Sequence, residues 1–199
     1  MNISQFFLDD DAHFMPPKLR KSLSHVYLKD RFLLKKTDYN CTQLYRSIVQ
    51  NITYLADENC YYDPPTVSEH AHTTICGESL AYLMLYYYQR LCLIAPFDRP
   101  HIMYHYETLK ITQMVIATKL SIWNQFLRRD EILEQSRYLA KLSHFSISVE
   151  EISGSVLISF RLPQSKGAEH PVFTNLTENM RPLMEQALKD AISAHLGEA

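Results

Sequence analysis

The sequence predicts an α+β fold that is mainly α, with an antiparallel helical core, one C-terminal β-hairpin and a docked terminal helix. Three observations carry this. Between Thr66 and Ser143 there is one glycine, Gly77, and only two closely spaced prolines, Pro96 and Pro100, so the segment is almost free of structure-breaking residues. From Phe145 the apolar spacing changes from a helical period to strict alternation, and beyond residue 171 a helical period returns.

Residues 1 to 17 mix apolar side chains with Asp9, Asp10 and Asp11 and end in Pro16 and Pro17, the pattern of an N-terminal arm. Residues 18 to 199 then form a single mainly helical domain. Residues 18 to 36 are basic, with a short helix near 17 to 26 and an extended segment near 30 to 36. Asn40 caps a helix over 41 to 57, with Gln43 completing a capping box and Leu44, Ile48, Ile52 and Leu55 on one face.

After Pro64 and Pro65, Thr66 and Glu69 form a second capping box. It starts a helix that runs through Gly77 to about Ala95, roughly 45 Å at about 1.5 Å per residue. Leu80, Leu83, Met84, Tyr87, Leu91 and Ile94 line one side of it, while Tyr82, Tyr86 and Leu93 cover the other, so the helix is central or interfacial. Asp98 caps the next helix, with Pro100 in its first turn, and the spacing of Ile102, Tyr106, Leu109, Ile116, Leu120, Trp123 and Leu127 carries it to about Arg128. The short connection between the two makes them antiparallel neighbours.

A further helix is expected over 131 to 143. In the hairpin at 145 to 162, Phe145, Ile147 and Val149 alternate with serines, and Val156, Ile158, Phe160 and Leu162 repeat the pattern. An isolated hairpin is marginal in water, so it packs on the helices or gains 30 to 36 as a third strand. A polar loop leads to the terminal helix, where Met180, Leu183, Met184, Ala187, Leu188, Ala191 and Ile192 share a face.

A net charge of −2 gives no global attraction to nucleic acid or anionic membrane. Cys41, Cys60, Cys76 and Cys92 form no C-x-x-C pair, and the N-terminus lacks a secretory signal, which points to a reduced, cytoplasmic protein. The most apolar run, Leu80 to Pro96, is short and contains Gln89 and Arg90, so no membrane insertion is expected. Gly77, Gly154, Gly167 and Gly197 make no G-x-G-x-x-G or G-x-x-x-x-G-K pattern, which disfavours ATP or NAD, and no cofactor is expected.

Several groups are candidates for chemistry. On a continuous helix Glu69, His72 and Cys76 fall on one stripe and would offer a metal a carboxylate, an imidazole and a thiol. Asp98, His101 and His105 repeat the spacing, although Asp98 is already explained as a cap. The two groups would lie about 35 Å apart along the helical pair, so they are separate sites. Cys76 gains thiolate character only if a helix begins just before it, and Ser79 lacks the G-x-S-x-G elbow.

Lys18, Arg20, Lys21, Lys29 and Arg31 are the candidate basic contacts for a partner, with nucleic acid the weaker option because no reading motif accompanies them. The reading that best fits the sequence is a non-enzymatic interaction or regulatory protein, acting by self-association or on a protein partner through a helical, tyrosine-rich surface that includes Tyr82 and Tyr86. The alternative is a small-molecule or metal sensor or enzyme, with His101, Tyr104, His105 and Tyr106 lining a pocket between helices.

The helix expected before ISVEEISGSVLISFRLP, together with that segment, resembles the last helix and closing strands of histidine-kinase ATP-binding domains over some thirty residues. The resemblance implies a signalling protein of that family, with Asn51 at the position of the family's magnesium-binding asparagine. The family's D-x-G-x-G and later glycine motifs are missing here, so what it implies is a degenerate relative that does not bind ATP.

Overall fold

The computed structural model describes residues 7, 35–55, 59–65, 71–107 and 110–163. In chain order the elements are β1 (Thr37–Asn40), α1 (Cys41–Leu55), β2 (Tyr61–Tyr62), β3 (His72–Ile75), α2 (Gly77–Ile94), β4 (His101–Glu107), β5 (Lys110–Lys119), α3 (Leu120–Trp123), α4 (Arg129–Leu142), β6 (Ser146–Ile152) and β7 (Ser155–Arg161). Five strands form one sheet in the order β2-β4-β5-β7-β6, and β1 pairs with β3 in a separate ribbon. The large sheet is mixed, because β2 runs parallel to β4 while the other neighbours are antiparallel.

This overturns the expected fold class. The body is an α/β arrangement built on a sheet, not a helical core with an appended hairpin. The expected helix from Asp98 to Arg128 is the β4–β5 hairpin, followed by the single turn of α3. The physical reason lies in ITQMVIAT, residues 111 to 118: its β-branched side chains are stiff at χ1 and fit a pleated surface better than a helix. Thr112, Met114, Ile116 and Thr118 alternate toward the core, a period of two that the wider helical spacing concealed.

The expected helix from Thr66 is also shorter. Its Thr66 and Glu69 lie outside the described residues, residues 72 to 75 are strand, and α2 starts at Gly77. The hairpin at 145 to 162 is present, but its third strand is β5 and not the segment 30 to 36, of which 30 to 34 lie outside the described residues. The arm residues other than Phe7, the helix near 17 to 26 and the terminal helix also lie outside them.

Local chemistry accounts for the ends of several elements. The Gln43 amide donates to Asn40 Oδ1 at 3.0 Å, the cap expected for α1. Ser153 and Gly154 both have positive φ, 51° and 81°, which gives the two-residue β6–β7 turn the handedness that matches strand twist. His144 at φ 67° ends α4, and the Phe145 amide reaches back to the Ala140 carbonyl at 3.0 Å.

Helices α1, α2 and α4 share one apolar cluster with the sheet face that carries Ile102, Met114, Ile116, Ile158 and Phe160. The opposite face presents His101, Met103, His105, Gln113, Ala117, Leu157 and Arg161, none of them fully buried, around the buried Val115 and Ser159 at its centre. One face packed and one face wetter is the usual economy of an antiparallel sheet.

Candidate functional site

Three places hold the chemistry-bearing residues, and the first is the head of α2. Cys76 sits just before the helix, where an N-terminus would favour a thiolate. Burial wins instead and raises the thiol, although a hydrogen bond from Ser79 Oγ to Cys76 Sγ at 3.2 Å opposes it. The thiol donates to Glu78 Oε2 at 3.7 Å, and Glu78, 8% exposed, is itself raised by desolvation.

His72 stands on β3, with Nδ1 3.1 Å from Asp38 Oδ2, and Thr74 Oγ1 donates to Asp38 Oδ1 at 3.2 Å. Asp38 therefore ties β1 to β3. The expected metal stripe of Glu69, His72 and Cys76 does not form: His72 is on a strand, Cys76 precedes the helix, and Glu69 lies outside the described residues. Among the described residues no group of three or more His, Cys, Asp or Glu side chains is placed to hold a metal.

The second place is the seam between α2 and the α3–α4 segment. Trp123 and Phe126 project inward with ring centroids 5.2 Å apart, and Tyr87 lies 5.8 Å from Phe126 and 6.2 Å from Phe160. The Arg90 guanidinium, in a residue only 5% exposed, covers the Phe126 ring at 5.0 Å and the Tyr86 ring at 5.8 Å, and donates to the Leu127 carbonyl at 3.4 Å. Tyr87 donates its hydroxyl to Ser136 Oγ at 3.0 Å.

Tyr82 and Tyr86 are therefore not an exposed interaction surface. Each is 1% exposed, and Phe7 meets both edge-on at 5.6 and 5.3 Å. A helix apolar nearly all round is central here, because the sheet covers the side that a second long helix was expected to cover. The basic residues Lys18, Arg20, Lys21, Lys29 and Arg31 lie outside the described residues.

The third place is β4. Sequence reasoning grouped His101, Tyr104, His105 and Tyr106 in a pocket between helices, but a strand spreads them out. His101 and His105 share the sheet face away from the helices, yet at about 3.3 Å per residue they stand roughly 13 Å apart. Tyr104 turns to the other face, where it packs 5.1 Å from Tyr45 and donates to the Pro64 carbonyl at 3.2 Å.

His101 pairs through Nε2 with Asp63 Oδ1 at 2.8 Å and carries the Tyr61 ring edge-on at 5.6 Å. It borders a hollow of about 180 Å³ together with Asp98, Arg99, Ala117, Thr118, Lys119 and Ser155. Lys119 and Asp98 form an ion pair across it, so two of the hollow's basic groups already carry carboxylates. Asp63, Lys119 and Thr118 were not singled out from sequence, because only the strand register brings them to His101.

Leu93 in the last turn of α2 and Phe97 just beyond it are exposed, as is Leu127, whose carbonyl Arg90 holds. No helix among the described residues is long and apolar enough to cross a membrane. Asn51 lies buried on α1.

No protein-family model matches the sequence, and no curated protein matches it. Solved structures do match in shape. The ATP-binding domain of PrrB from Mycobacterium tuberculosis is 11% identical with a TM-score of 0.46, covering 66% of this chain and 98% of its own. The cytoplasmic segment of histidine kinase QseC is 12% identical with a TM-score of 0.39, covering 66% and 80%. The catalytic domain of histidine kinase ThkA is 15% identical with a TM-score of 0.40, covering 65% and 97%.

Proposed function

We propose that this chain is a non-catalytic regulatory or interaction protein, and more specifically a histidine-kinase-related signalling protein that works without binding ATP. The observation that carries the reading is the filled seam. Trp123, Phe126, Tyr87 and Arg90 occupy the space between α2 and the α3–α4 segment, leaving it to side chains rather than to a base or a phosphate.

Two further features support it. The sequence has no glycine-rich phosphate loop, and the basic groups around the β4 hollow are largely compensated, so a triphosphate would have to displace Asp98 or Asp63. The resemblance of α4 and the closing hairpin to the histidine-kinase family supplies the signalling context. The working partner is a protein, or a second copy of this chain, and the exposed Leu93, Phe97 and Leu127 supply apolar contact area for it.

Thermal melting tests the reading. A ligand present at about 100 times its Kd stabilises a fold by about 2.7 kcal/mol, a rise of several degrees. Magnesium ATP at about 2 mM should leave the melting temperature unchanged; a rise of that size would overturn the proposal.

A further inference from the structure

Phe7 stands apart in sequence from the other described residues, the next of which is Lys35, yet its side chain is completely buried. It meets Tyr82 with ring centroids 5.6 Å apart and planes at 81°, and Tyr86 at 5.3 Å and 80°. Both contacts are edge-to-face, the arrangement in which the positive rim of one ring meets the negative face of another.

The seat for this ring is made by α2. Tyr82 and Tyr86 lie four residues apart, which places them one turn apart on the same helix face, and their rings stand 6.1 Å apart at only 31°. Two rings so nearly parallel present a common seat to a third ring set across them, and Phe7 takes it. Tyr86 is braced in turn by Tyr87, edge-on at 5.6 Å, and by the Arg90 guanidinium at 5.8 Å from its ring. Every one of these supports belongs to α2, whereas the occupant comes from the N-terminal arm expected over residues 1 to 17.

We propose that the Tyr82 and Tyr86 pair is a docking site for a phenylalanine-bearing peptide, occupied by this chain's own N-terminal arm with Phe7 as its anchor. The arm is then a ligand tethered to its receptor. The inference does not depend on the ATP reading above. What the seat reads is the ring, because an aliphatic side chain would keep apolar contact there but forfeit both edge-to-face contacts. One buried aromatic that fills a site made by its partner is the usual energetic centre of a small interface.

The test uses the full chain carrying Phe7→Ala, verified as folded by circular dichroism. Its melting temperature should fall by roughly 8 °C or more, the loss expected when a large buried ring is removed. A synthetic peptide of residues 2 to 12, added at about 1 mM, should recover at least half of that fall, and the same peptide with Phe7→Ala should recover none. Phe7→Leu, which keeps apolar bulk but has no ring, gives the same comparison if Phe7→Ala does not fold. An unchanged melting temperature, no rescue, or equal rescue by both peptides would overturn the proposal. So would a native chain that runs as a dimer and dissociates on Phe7→Ala, since the arm would then be seated on a second copy.

Discussion

The Glu78 carboxyl is taken out of water at the head of α2, and desolvation raises it above its ordinary value. A raised native value means that the folded state holds the proton more tightly than the unfolded chain does. Stability contributed by the protonated form is therefore full below the unfolded value near 4.5 and is lost as pH rises through the raised native value. Glu78→Gln should flatten this part of the stability–pH profile, and above that interval it should match or exceed the native protein by up to about 1 kcal/mol. Chemical denaturation at several pH values reads this directly, and an unchanged slope would remove the assignment. Midway along the same helix, Tyr87→Phe leaves Ser136 Oγ buried without its donor, and a loss of about 1 kcal/mol is expected in the same assay.

At the scale of elements, α2 can start where it does because residue 77 has no side chain. A Cβ there would meet the buried Tyr39 ring at 2.8 Å. Gly77→Ala should destabilise by about 1–3 kcal/mol, and in a Tyr39→Ala background the same change should be almost free; a double-mutant cycle with no coupling would contradict the contact. The seam gives the second expectation. Phe126→Ala should cost about 3 kcal/mol or more, since it removes a ring that supports Trp123, Tyr87 and Arg90 together.

The same elements show what was legible in the sequence. The Asn40 cap, α4 and the closing hairpin rest on local signals, namely a cap residue, a helical stripe and strict alternation, and these were readable. The β4–β5 hairpin was hidden because its residues satisfy a loose helical spacing as well as alternation, and its β-branched content is what decides between them. The pairings His101–Asp63 and His72–Asp38 depend on register between distant segments, which composition and spacing do not encode. The exposed tyrosine surface on α2 was misread for the same reason, since the sheet that covers it was itself assigned as helix.

For the whole molecule, a five-stranded mixed sheet packs on its helices with the space between them filled by aromatic side chains and Arg90. Partner binding at the end of α2 belongs to this scale. If Leu93, Phe97 and Leu127 meet a second copy of the chain, Phe97→Asp should shift light scattering toward monomer while melting stays within about 0.5 kcal/mol, because Phe97 is fully exposed. The filled seam is tested most directly by calorimetric titration of magnesium ATP into the native chain. No saturable heat is expected up to millimolar nucleotide, and a one-to-one isotherm in the micromolar range would contradict a seam closed to nucleotide.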